Sequence, residues 1–245
     1  MVSHQLPDIH YQGPSLDVPE PPDDLPYARF WDYYNREVLR LNGVALEPNA
    51  LIDVLASPKS DPILRAAAAH TAGADGAGAA VPALRETLEG TDDLTAVEAA
   101  YALVRLGDEQ GKAALVAAVG RPVELELAPL FAAGYLAQLG DPRGFPVVVR
   151  ALDGDAPAAR MVACKQLHFF IPFHGWRQSN GDIVDVAGAF ERALAHSDSA
   201  LHWQALFQLR ETSDPAFIEL VRRYAVRAPD PALARMAQSI LDRVR

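Results

Sequence analysis

The chain has 245 residues, half of them hydrophobic, with 32 acids against 22 bases and a formal net charge of −10. Such a hydrophobic fraction supports a folded core and excludes disorder throughout. The single Cys164 excludes an internal disulfide framework and any multi-cysteine zinc site, so a reducing compartment is the default and the thiol reads as a small buried apolar group.

Charge is unevenly spread, since residues 1–126 carry 20 acids and 9 bases (net −11) whereas residues 127–245 carry 12 acids and 13 bases (net +1). An acidic half repels phosphates. Nucleic acid is therefore disfavoured as a partner, and a basic protein fits better.

In chain order, the first 26 residues hold Pro7, Pro14, Pro19, Pro21, Pro22 and Pro26 among scattered acids. Prolines at that density forbid a helix ladder, which predicts an extended acidic arm over residues 1–26. The opening lacks the charged-then-apolar order of a signal peptide, and no run of about 18 apolar residues occurs, so no membrane partner is expected and the expected location is cytoplasmic. The next stretch, "YARFWDYYNREVLRLNG", sets Phe30, Tyr33, Tyr34, Val38 and Leu41 at helical spacing with Gly43 just beyond. It predicts a first helix whose aromatic stripe caps the end of an array.

Self-similarity then takes over. Four segments align, "DGAGAAVPALRETL", "LGDEQGKAALVAAV", "LGDPRGFPVVVRAL" and "TSDPAFIELVRRYA", with Leu84, Leu115, Val148 and Val221 in one apolar column. Gly76, Gly107, Gly140 and Ser213 share a turn column, followed by Asp108, Asp141 and Asp214 in three of the four, residue types that stop one helix and cap the next. The intervals are 31, 33 and 73 residues, and two units of about 33 leave about seven extra residues in the last. Each unit is preceded by a helix with small and aliphatic residues on one face, such as "DPILRAAAAHTAG" and "ELAPLFAAGYLAQLG". Helix pairs of this length cannot bury a core alone, which predicts an all-α fold, a right-handed α-solenoid of stacked antiparallel helix pairs forming one domain over residues 27–245.

On these features the chain resembles the HEAT-like repeat family, in the short variety of the phycobilisome lyases. The resemblance rests on the "LGD" turns at Leu106–Asp108 and Leu139–Asp141, on "VPAL" at Val81–Leu84 and on Arg65 in "DPILRAAAA", and it extends over about residues 48–245. It implies a fold more than a function, because such arrays serve as scaffolds, inhibitors, adaptors and occasionally enzymes. HEAT-repeat deoxyhypusine hydroxylases hold two irons with His-Glu pairs, and no His-Glu dipeptide occurs here. HEAT-like alkylpurine DNA glycosylases use Trp and a carboxylate on an electropositive face; Trp176 and Trp203 with Asp182 or Asp185 imitate those elements, but the overall charge has the wrong sign.

Other chemistry finds little support. There is no phosphate loop, no G-x-S-x-G and no H-E-x-x-H, and the glycines of "GADGAGAA" read as a turn before a helix. His168, His174, His196 and His202 are spaced so that neighbouring helices bring them near one another, but the spacing matches no known metal site and polar helix-end roles are favoured. Neither a metal nor a cofactor is expected.

The stretch "FFIPFHGWRQSNGDIVDV", residues 169–186, differs from its Ala- and Leu-rich surroundings and falls in the long interval. Pro172 ends a helix, and Gly175 and "SNGD" supply turns, which predicts an enlarged loop over 172–182. Insertions in solenoids emerge on one rim, and Trp with Arg often carries binding energy. The Phe and Ile residues read as a plug for an irregular repeat. His174, Trp176, Arg177, Asn180 and Asp182, with Trp203 one helix later, are the candidate binding residues, and no catalytic residue is assigned. The expected function is a protein-interaction module, scaffold, adaptor or inhibitor, that binds a basic partner through a concave face and this loop. The alternative is an enzyme or a small-molecule binder with a pocket beside residues 168–182, using His174, Arg177 and Asp182.

Overall fold

The computed structural model describes residues 17–22, 25–89, 93–122 and 127–244. Thirteen α-helices occur among them: α1 (Tyr27–Leu41), α2 (Pro48–Ala56), α3 (Pro62–Ala74), α4 (Val81–Leu88), α5 (Asp93–Arg105), α6 (Glu109–Val119), α7 (Ala128–Gln138), α8 (Phe145–Asp153), α9 (Pro157–Phe170), α10 (Val186–Ala195), α11 (Ser199–Leu209), α12 (Pro215–Arg227) and α13 (Pro231–Arg243). Among the described residues there is no strand, and one antiparallel bridge joins Arg177 to Ile183. The all-helical repeat class expected from the sequence is the class observed.

Local chemistry explains the helix boundaries. Asp61, Asp214 and Asp230 each precede a proline at the first helical position and accept a hydrogen bond from the amide two residues on, at 2.8 Å for Ile63 and for Ala216. Proline has no amide to orphan there and its φ suits the helix, while the carboxylate satisfies a free N–H. The predicted turn column is real: Gly76, Gly107 and Gly140 have φ of +69°, +84° and +84°, the left-handed region that closes one helix, and Asp108 and Asp141 cap the next segments through the amides of Gln110 and Arg143. The apolar column is equally real, because Leu84, Leu115, Val148 and Val221 are all completely buried.

Packing divides the chain into two compact units, Met1–Ala114 and Leu115–Arg245, with the division inside α6. In the first, α1, α3 and α5 form one layer, backed by α2 and α4. The α3–α5 contact depends on small side chains: a Cβ on Gly73 would sit 2.6 Å from the Ala102 Cα, so the helices meet at backbone distance. The core of this unit gathers Leu39, Leu51, Leu84, Leu103 and the alanines of α3. In the second unit, α7, α9, α11 and α13 form one layer and α8, α10 and α12 the other.

Most of the predicted arm, residues 1–16 with 23 and 24, lies outside the described residues. In its described part, Val18 packs against the first unit's core and the Tyr33 hydroxyl donates to the Pro19 carbonyl at 3.2 Å.

Candidate functional site: a hairpin between two helices

The atypical stretch at 169–186 builds the main candidate. Proline cannot donate to the helix ladder, so at Pro172 the chain tightens from α9 into a single 3-10 turn, Ile171–Phe173. Gly175 and Gly181, with φ of +81° and +91°, then allow two reversals. Between them the backbone zips into a short hairpin: Gly175 N–H donates to the Val184 carbonyl at 3.0 Å, Val184 N–H to that of Trp176 at 2.8 Å, and Gln178 N–H to that of Asp182 at 2.8 Å. The chain between α9 and α10 is thus an ordered ladder rather than a plain turn.

Side chains complete the tip. Arg177 donates to the Gly181 carbonyl at 3.0 Å, Asn180 donates to the Asp182 carboxylate at 2.7 Å, and Asp182 N–H returns a bond to the Asn180 side-chain oxygen at 3.1 Å. Asp185 is occupied as the cap of α10, accepting from Gly188 N–H at 2.9 Å. The root is apolar: Phe170, Phe173 and Val184 are buried, and Trp176 meets Phe173 edge-on with centroids 5.4 Å apart. Trp176 itself is 55% exposed and Ile183 54%, so two large, half-exposed apolar side chains share one hydrogen-bonded hairpin.

His174 lies at the hairpin's base, its ring 5.3 Å from that of Phe217 and its Nδ1 buried without a hydrogen-bond partner. Trp203 belongs to α11, where it stacks on Phe207 with centroids 5.3 Å apart, and the Arg210 guanidinium lies 3.9 Å over the Phe207 ring. The structure therefore brings His174, Trp176, Arg177, Asn180 and Asp182 into one element and places Trp203 in another.

The four C-terminal histidines do not converge as a set. His168 Nδ1 bonds the Gln208 carbonyl at 3.2 Å, and burial lowers its pKa, so it is the neutral donor there. His202 meets the His196 carbonyl through Nε2, which must therefore carry the proton; its Nδ1 then accepts from the Tyr224 hydroxyl at 2.9 Å. Burial holds that hydroxyl's pKa up at about 12. His196 Nδ1 accepts from Asp198 N–H at 3.0 Å. Helix-end and core roles account for these three, and the described residues contain no group of three or more His, Cys, Asp or Glu suited to a metal. The Cys164 thiol is buried and its pKa is pushed up by that burial, which leaves it unreactive.

A second polar constellation escaped the sequence reading. In the first unit His70 of α3, with its side chain 2% exposed, lies between Asp32 of α1 and Glu98 of α5, each carboxylate 2.9 Å from a different ring nitrogen. Arg105 reaches the same Asp32 oxygen at 3.1 Å, and its guanidinium lies 5.6 Å from the Tyr101 ring. The available signal was a histidine and a glutamate inside helices otherwise made of alanine and leucine, "RAAAAHTAG" and "TAVEAAYALV".

Comparison with known proteins bears on the fold. Residues 48–128 match the family model of HEAT repeats. The matched stretch runs from α2 to the first residue of α7, and so takes in the turns at Gly76 and Gly107. No curated protein matches the chain. Among solved structures, an engineered protein shares 19% identity with a TM-score of 0.48, over 80% of this chain and 96% of its own. Human deoxyhypusine hydroxylase in complex with glycerol shares 16% identity with a TM-score of 0.38, over 87% of this chain and 80% of its own. Likeness at this level has no bearing on chemistry.

Proposed function

We propose that this protein is a protein-binding module of the HEAT-repeat kind, and that the hairpin at residues 172–184 is its recognition element. The observation that carries the reading is the pair of half-exposed apolar side chains, Trp176 and Ile183, on a hairpin fixed by its own backbone ladder. Large apolar groups on a preordered element lose little entropy on docking, and a Trp beside an Arg is the composition that dominates interface energetics. The Arg177 and Asn180 side chains add directional donors at the rim, and HEAT repeats are commonly interaction scaffolds.

A basic partner suits the net charge of −11 over residues 1–126. Asp32, Asp75 and Asp108 are held in pairs with His70, Arg36 and Arg85, and the net surplus, which already counts those arginines, attracts at long range rather than defining a docking point.

The test is affinity capture from a lysate with the intact chain and with the Trp176→Ala/Arg177→Ala variant, followed by titration calorimetry on any protein retained only by the former. The double substitution is expected to cost about 2 kcal/mol or more of binding with an unchanged melting temperature. Equal binding by both forms would remove the hairpin from the interface.

A further inference from the structure

The buried histidine of the first unit has a geometry that fixes its charge. A neutral imidazole carries one N–H and one lone pair, so it can satisfy one carboxylate and must repel a second. His70 faces a carboxylate oxygen at 2.9 Å from each nitrogen, Asp32 at Nε2 and Glu98 at Nδ1. With both carboxylates ionised, both contacts are hydrogen bonds only if both nitrogens are protonated. The ring is thus an imidazolium enclosed between helices.

What it joins matters. Asp32 sits on the first turns of α1 and Glu98 on α5, so the charged ring of α3 is a three-helix tie. Beyond it, α1 is held by Val38 and Leu39, both fully buried near its C-terminal end, and by the Arg36–Asp75 ion pair at the end of α3. The N-terminal turns have a different character: Phe30, Trp31 and Tyr34 meet one another with centroids 5.3 to 6.2 Å apart, all three are half-buried, and Tyr34 also packs against the edge of the unit's core. The groups that face His70 are few. From α1 there is Asp32, and from α5 there are Glu98, Tyr101 and Arg105; α2, packed on the same helix, has only the exposed Asp53.

We propose that His70, Asp32 and Glu98 form a protonation-dependent clasp that fixes the N-terminal turns of α1 to α3 and α5, and that loss of the ring proton loosens those turns from α3, leaving Asp32 its Arg105 partner on α5, while Val38 and Leu39 keep the rest of the helix docked. The electrostatics agree with the geometry: burial alone would lower the histidine's pKa, but the two carboxylates outweigh it and raise it to about 9. His70 and Arg105 hold Asp32 at about 2 against the opposing effect of its own burial. The clasp is closed at neutral pH and opens in mild alkali. It is independent of the hairpin reading.

Trp31 reports on it directly. In a Trp176→Phe/Trp203→Phe background it is the remaining tryptophan, and its emission should shift to longer wavelength in one step centred near pH 9, with most far-UV helix signal retained. Adding His70→Gln should abolish that step while leaving the tyrosine titration at higher pH in place. Asp32→Asn should move the step down by one pH unit or more, by removing one charged partner. Nitrogen-15 spectra of the imidazole decide the matter even if a variant folds poorly: two protonated ring nitrogens on His70 at pH 7.5 are expected. A single protonated nitrogen at that pH, or a Trp31 step that persists in His70→Gln, would overturn the clasp.

Discussion

At the scale of single residues, similar aromatic side chains in one hairpin have opposite duties. Phe173 is buried at the root, so Phe173→Ala should lower stability by about 3 to 4 kcal/mol through lost burial and a residual cavity. Trp176 is more than half exposed, and Trp176→Ala should change the unfolding free energy by under about 1 kcal/mol in the same denaturant titration. Reversal of that order would mean that Trp176 is the plug. His70 acts on stability through pH. Its pKa is raised on folding from 6.5 to about 9, so its contribution is whole below pH 6.5 and is lost as pH rises through 9. Asp32 is lowered from 3.8 to about 2, so its share is present above 3.8 and lost as pH falls through 2. A denaturant midpoint measured against pH should therefore show a plateau near pH 4 to 6.5 and a decline by pH 9, and His70→Gln should flatten the alkaline side.

Among the elements, what the sequence revealed and what it concealed have separate physical causes. Periodicity and turn chemistry are local, and both survived: the glycine column has its positive φ at three positions, and the column's aspartates cap the segments after them. A helix stop and turns were legible from Pro172, Gly175 and "SNGD", whereas the hairpin was not, because pairing Trp176 with Val184 across a turn leaves no alternation long enough to read. The His70 tie was hidden for another reason. Its members lie 38 and 28 residues apart in sequence, and only the stacking of α1, α3 and α5 brings them together. Stacking also sets the tolerance of each glycine. Gly73→Ala should be strongly destabilising, since its Cβ would fall 2.6 Å from the Ala102 Cα and the α3–α5 pair would have to separate. Gly78 has nothing within 4 Å of the same position, so Gly78→Ala should alter thermal stability little or raise it slightly.

For the molecule as a whole, charge and shape make separable contributions to the proposed binding. The net charge of −10 acts over distance and, for a basic partner, accelerates encounter; a salt-screened field loses that effect as the Debye length falls from about 10 Å at 0.1 M to about 3 Å at 1 M. Hairpin contacts are short-ranged and govern dissociation. Raising the salt from 0.05 to 0.5 M should thus reduce the association rate on the order of tenfold while leaving the dissociation rate nearly constant. Trp176→Ala should do the opposite, speeding dissociation without changing the slope of association rate against salt. Surface plasmon resonance on one captured partner resolves both rates. A salt-independent association rate would reject a basic partner and leave the hairpin reading intact, whereas an unchanged dissociation rate in Trp176→Ala would reject the hairpin and leave the charge argument standing.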